Sequence, residues 1–150
     1  MAHETARAAL LVALFAFAGG ASAETPSIHV EKSPSCGCCI AWVEHLDENG
    51  FDVTTRNLSN GALAQSKIEK GVTPELTSCH TAMVEGYVIE GHVPASDIAR
   101  LLAERPDAIG LSVPGMPIGS PGMEYGDERD PYDVLLIRRD GSTEVFNSYR

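Results

Sequence analysis

The chain has 150 residues, a formal net charge of −10 and four cysteines. That length suits one domain whose core needs no disulfide staples. The acidic balance argues against nucleic acid or anionic membranes as partners and tolerates cations nearby.

Arg7 lies in a short polar opening segment, an apolar run covers Ala8 to Ala18, and Ala21-Ser22-Ala23 fits a small-x-small cleavage site. The run is too short to cross a bilayer, so residues 1–23 read as a signal peptide cut after Ala23. Its loss removes one acid, Glu4, and one base, Arg7, and leaves the charge unchanged. No later apolar run is long enough for membrane insertion of the mature chain. Export implies the periplasm or beyond, where disulfides persist.

Ile28 to Lys32 alternates and predicts a strand, and Ser33-Pro34-Ser35 turns the chain. Ser35 or Cys36 can cap the next helix, where Cys39, Trp42, Val43 and Leu46 recur at helical spacing until Asn49-Gly50. Phe51 to Thr55 predicts a second strand, so a βαβ unit opens the mature chain if the two strands pair in parallel. A weaker helix follows over Ala62–Lys70, then a turn over Val72–Leu76. Thr77–Val84 and Tyr87–Ile89 predict a hairpin about Glu85-Gly86. A helix over Ala95–Glu104 carries Ile98, Leu101 and Leu102 on one face and ends before Pro106. Residues 110–133 interleave five glycines with four prolines and read as a long irregular segment. Asp133–Ile137 and Thr143–Ser148 form a last hairpin about Asp140-Gly141.

The resulting order, β-α-β-α-β-β-α plus a loop and hairpin, predicts an α/β fold that is thioredoxin-like in outline. Residues 24–109 form its core. Residues 110–150 form a C-terminal extension, a Gly/Pro/Met loop plus β-hairpin, packed on the same domain.

Three cysteines fall within Ser35-Cys36-Gly37-Cys38-Cys39, at a predicted helix start. Unpaired backbone N–H groups and the helix dipole favour a thiolate there, so the cluster reads as reactive or metal-binding. Cys36 and Cys39 also have C-x-x-C spacing. Cys79, predicted on the third strand, brings a fourth sulfur to the same place if the end of that strand approaches the helix terminus. Structural disulfides are the plainer alternative, with three possible pairings, although such staples usually spread along a chain.

Thiolate sulfur selects Cu(I), zinc or iron–sulfur clusters, and the thioethers of Met116 and Met123 in the Gly/Pro segment tip the choice toward copper. Each methionine has core packing as its plainer role. His80 follows Cys79 and on a regular strand would face the other way, reaching the same metal only if the backbone bends. His29, His45 and His92 read as surface or hydrogen-bonding residues. The acids Glu124, Asp127, Glu128, Asp130 and Asp133 read as a solvated loop face.

Taken together, Cys36-Gly37-Cys38-Cys39, Ser78-Cys79-His80, Gly86 to Pro94 (GYVIEGHVP) and Val113 to Glu124 (VPGMPIGSPGME) resemble the CopG-type proteins of bacterial copper resistance. The resemblance runs from about Ile28 to Tyr149. It implies a periplasmic thioredoxin-like domain with a metal-binding C-terminal extension. It implies copper at Cys36, Cys38, Cys39 and Cys79 as a sulfur-bridged multinuclear site. It implies a redox role, as a copper oxidoreductase interconverting Cu(I) and Cu(II), or the passing of copper toward efflux. The expected partners are copper ions and periplasmic copper efflux or chaperone proteins, with the protein itself a monomer.

Two other readings stand beside this one. A metal-free thiol–disulfide oxidoreductase would use Cys36 to attack and Cys39 to resolve, with Cys38 as a competing third thiol. A non-catalytic module, such as a metal chaperone or a zinc-stapled domain, would need only the ligands.

Overall fold

The computed structural model describes residues 25–150, so the signal peptide expected over 1–23 lies outside the described residues. The described chain is mixed α/β, with three helices and one seven-stranded sheet in the order β2-β1-β3-β4-β5-β6-β7.

Strand β1 (Ser27–Lys32) pairs in parallel with β2 (Asp52–Asn57), and helix α1 (Gly37–Glu48) is the crossover between them. Cys39, Trp42 and Leu46 are its buried residues, spaced as one helical face requires. Gly50 at φ +84° then turns the chain, a conformation that glycine adopts without cost. Helix α2 spans Asn60–Glu69, and Ser59 caps it by accepting from Ala62 N–H at 3.3 Å. The helix therefore starts two residues before the sequence predicts, with Asn60-Gly61 inside it. A single 3₁₀ turn, Pro74–Leu76, follows.

β3 (Thr81–Val84) and β4 (Tyr87–Glu90) form the predicted hairpin, and Glu85 and Gly86 both carry the positive φ of a tight two-residue turn. Helix α3 (Ala95–Glu104) links β4 to β5 (Ala108–Ser112), which pairs with β4 in parallel. β6 (Tyr132–Arg138) and β7 (Thr143–Tyr149) complete the sheet as an antiparallel hairpin, β6 lying against β5.

Two departures from the predicted elements matter for the site. Strand β5 runs through residue 110, where an irregular stretch was expected. Gly110 looks like loop composition, but a Cβ there would overlap the backbone of Val88 on the neighbouring strand. Glycine is what lets the strands approach. In addition, Cys79 and His80 precede β3 instead of lying on it, because the chain bends at Cys79. Ser78 N–H is captured by the Glu90 carboxylate at 2.7 Å, which draws the segment out of line with the strand.

Adjacent residues on a strand face opposite ways, so the sheet has two cores. Ile89 joins Trp42, Leu46, Ile98 and Leu101 under α1 and α3. Val88 joins Val72, Leu76 and Ile137 on the other face.

Candidate metal centre

The strand register gathers the site. β1 and β3 are antiparallel, with Glu31 opposite Thr81. The end of β1, which leads into Cys36, therefore lies beside the start of β3, which Cys79 precedes. Thr81 is also opposite Glu90, so the end of β4, leading to His92, arrives at the same place. Glu90 is opposite Ser112 in the parallel β4–β5 pair, so β5 delivers the Met116–Met123 segment there too.

Cys36 is the N-cap residue of α1, and its Sγ accepts from Cys39 N–H at 3.3 Å. This satisfies one of the free amides of the first turn. Cys36 and Cys39 are joined as a disulfide, while Cys38 and Cys79 are free. Cys38 Sγ lies 3.4 Å from Cys36 Sγ and 3.8 Å from Cys79 Sγ, and Cys39 Sγ lies 3.5 Å from Cys79 Sγ. All four sulfurs fall within 4.8 Å of one another, so the expected convergence is met.

A buried ion pair holds the Cys79 bend from below. Lys67 of α2 reaches the Glu90 oxygen that also accepts from Ser78 N–H. Ser78 Oγ donates to Gly115 O on the far side. Ser78 and the Val113 carbonyl leave no room for a side chain at Gly91, whose φ is +74°.

Two imidazoles close on the same thiol. His80 Nδ1 lies 3.3 Å from Cys79 Sγ and His92 Nε2 lies 3.1 Å from it. The backbone bend at Cys79 is the condition under which the sequence reading allowed His80 to reach the cysteine site. His92 Nδ1 is 2.8 Å from Pro121 O. A carbonyl only accepts, so Nδ1 carries the proton and the Nε2 lone pair faces Cys79. His80 Nε2 is buried without a hydrogen-bond partner. His92 is the residue that sequence reasoning passed over. Its role depends on a carbonyl 29 residues away, and the only signal for it was its place between Gly91 and Pro94. His45 does something else: its Nε2 accepts from Ala95 N–H at 3.1 Å and caps α3. His29 bonds Thr54 at the surface.

The methionine segment touches the site through its backbone. Gly122, at φ +83°, lies so close to the first turn of α1 that a Cβ would sit 2.7 Å from Cys38 O and Trp42 N. Gly115 N–H donates to Thr77 O at 3.1 Å. Met123, half-buried, and Met116, 53% exposed, each follow one of these glycines. The acidic segment is also less free than expected. Asp130 closes the loop onto Ile118, accepting from its N–H at 3.0 Å and donating to its O at 2.9 Å.

Burial pushes the Cys79 thiol up to about 12, and the neighbouring Cys38 adds to the shift. Burial also holds His80 well below the usual imidazole range and lowers His92. At neutral pH the metal-free site is thus a protonated thiol facing two neutral imidazoles. Imidazole in that form is a ligand, and the thiol becomes one when a metal displaces its proton.

The chain is similar to two solved structures. One is titled "Copper resistance protein copG- Form 2": 44% identity, TM-score 0.79, covering 85% of this chain and all of that one. The other is "Copper resistance protein copG- Form 1": 44% identity, TM-score 0.78, covering 84% of this chain and 98% of that one. Residues 76–123 also match the family described as "Protein of unknown function, DUF411". That match takes in Cys79, His80, His92 and both loop methionines but stops short of the cysteine motif on α1. No curated protein gives a significant match.

Proposed function

As a member of the CopG family of copper resistance proteins, the chain comes with a copper-related role, and we propose that it is a periplasmic copper-binding redox protein. The observation that carries this reading is the set of four sulfurs within 4.8 Å of one another. Four soft donors suit Cu(I), which prefers thiolate and thioether to hard oxygen ligands.

Cys36, Cys38, Cys39 and Cys79 would hold the metal in a sulfur-bridged, multinuclear site. The Cys36–Cys39 disulfide must first take up two electrons and two protons, which frees both thiols. His92 would join them through Nε2. Its other nitrogen already donates to a backbone carbonyl, as the outer nitrogen of metal-binding histidines generally does. His80 would offer Nδ1, the nitrogen nearer Cys79. Met116 and Met123 would cover the site from the loop. Copper is cargo in this scheme, interconverted between Cu(I) and Cu(II) or handed to periplasmic efflux or chaperone proteins.

The strand order β2-β1-β3-β4, with α1 and α3 on one core and C-x-x-C at the start of α1, supports a thioredoxin-like core over 24–109. Residues 110–150 would extend it, within a monomer released by cleavage after Ala23. No helix among the described residues is long and apolar enough to cross a membrane.

Anaerobic titration of the fully reduced protein with Cu(I) tests the reading. Wild type is expected to bind several copper ions per chain, and Cys79→Ser to lose stoichiometry and affinity. Unchanged binding by Cys79→Ser would sink the four-sulfur site.

The Cys36–Cys39 disulfide favours one other reading, a metal-free thiol–disulfide oxidoreductase in which Cys36 attacks and Cys39 resolves. Insulin reduction by the metal-free protein decides it: turnover supports that activity, and none discards it.

A further inference from the structure

The two sulfurs outside the disulfide, Cys38 Sγ and Cys79 Sγ, are 3.8 Å apart, and both residues are half-buried. We propose that Cys38 and Cys79 form a second dithiol couple, which reduces two Cu(II) ions to Cu(I) as it closes to a disulfide. This rests on the copper reading above and assigns the electron source within it.

The balance is simple. Each thiol gives up one proton and one electron, one S–S bond forms, two Cu(II) become two Cu(I), and both protons leave to solvent. Cu(II) is the oxidant, and no other co-reactant is needed. A disulfide bond is about 2 Å long, so the two sulfurs must close by roughly 1.8 Å. Cys36 and Cys39 are already joined, so Cys38–Cys79 is the pairing that needs no bond broken first.

The consequence is a site that releases what it reduces. With both couples oxidised no thiol remains among the four, and Cu(I) loses its sulfur anions at the moment it forms. Hand-off to a thiol- or thioether-bearing acceptor then follows from the chemistry. Four electrons in all separate the four-thiol state from the two-disulfide state, and a dithiol reductant would reset it.

The test starts from protein carrying the Cys36–Cys39 disulfide and two titratable thiols. It is given excess Cu(II) without oxygen, in the presence of a Cu(I)-specific chelator. The expected yield is about two Cu(I) per chain, with both thiols lost, no covalent dimer, and a Cys38–Cys79 linked peptide in a non-reduced digest. Cys38→Ser and Cys79→Ser each leave one thiol. They are expected to give at most about one Cu(I) per chain, with the lost thiols recovered in covalent dimers. Retention of both thiols by wild type, oxidation into any other pairing, or an unchanged yield in either variant overturns the proposal. Cu(I) titration of the fully reduced protein separates the two claims. Cu(I) binding without Cu(II) reduction sinks this inference alone, whereas no Cu(I) binding sinks the copper reading beneath it.

Discussion

The indole of Trp42 lies against the imidazole of His80, with ring centroids 4.3 Å apart. Both side chains are fully buried. Trp42 Nε1 also donates to Val93 O at 2.8 Å, just ahead of α3. One side chain therefore ties the helix that begins at the cysteine motif to both histidine-bearing segments. Trp42→Phe keeps an aromatic face but leaves a buried carbonyl without its donor. The expected loss is about 1–3 kcal/mol, read by denaturant unfolding. Trp42 is the one tryptophan of the chain. Its emission is expected to be quenched by copper and to saturate with binding; emission indifferent to copper would place the metal away from the start of α1.

Gly122 sits at φ +83° with the backbone of Cys38 and Trp42 where its side chain would be. Gly115 has a similar φ, +69°, but open space around it. Alanine at either position carries the left-handed backbone cost of about 1–3 kcal/mol. Only Gly122→Ala should also push the methionine loop off the helix start. Cu(I) competition assays are expected to show roughly tenfold weaker binding for Gly122→Ala, equivalent to about 1.4 kcal/mol, and near wild-type binding for Gly115→Ala. Equal affinities for the two variants would mean that loop contact does not contribute to the site.

Lys67 and Glu90 form a fully enclosed ion pair that also takes Ser78 N–H, and the second Glu90 oxygen has no partner. Burial raises the Glu90 carboxyl despite Lys67. Lys67→Met strands the carboxylate, and its cost should be about 3–5 kcal/mol, with part recovered by adding Glu90→Gln. A double-mutant cycle by denaturant unfolding measures the coupling. Additive losses would show that the pair does not act as a unit.

The depressed imidazoles give a pH signature in the metal-free protein. Burial lowers both, His80 facing Trp42, His92, Cys79 and Lys67, and His92 facing Glu124 and Pro121. In the unfolded chain both titrate near 6.5. Between that value and their lower folded values the unfolded state binds more protons, so stability rises with pH. Their contribution is complete above about pH 6.5 and is lost as pH falls below it. The raised Glu90 carboxyl slopes the other way, so the imidazole contribution is read as a difference between proteins. Unfolding free energies measured from pH 8 down to 5 are expected to decline less steeply in His92→Gln than in wild type, and identical pH profiles in the two would contradict the burial of His92 as a neutral ring.

Local chemistry was legible in the residues themselves. Helix α3 follows from its apolar spacing and Pro106, the α1 start from a capping side chain at Ser35 or Cys36, and the turns from Glu85-Gly86 and Asp140-Gly141. The soft-donor character of the site follows from four thiols and two thioethers. What stayed hidden was long-range. Gly110 reads as loop until Val88 is seen against it. Cys79 reads as strand until Glu90, eleven positions later, takes the amide beside it. His92 reads as ordinary until Pro121 fixes its tautomer. A residue's identity states which bonds it can make, but distance between segments is set by strand register. Here the pairing of Glu31 with Thr81, and of Thr81 with Glu90, decided that the sulfurs and imidazoles meet.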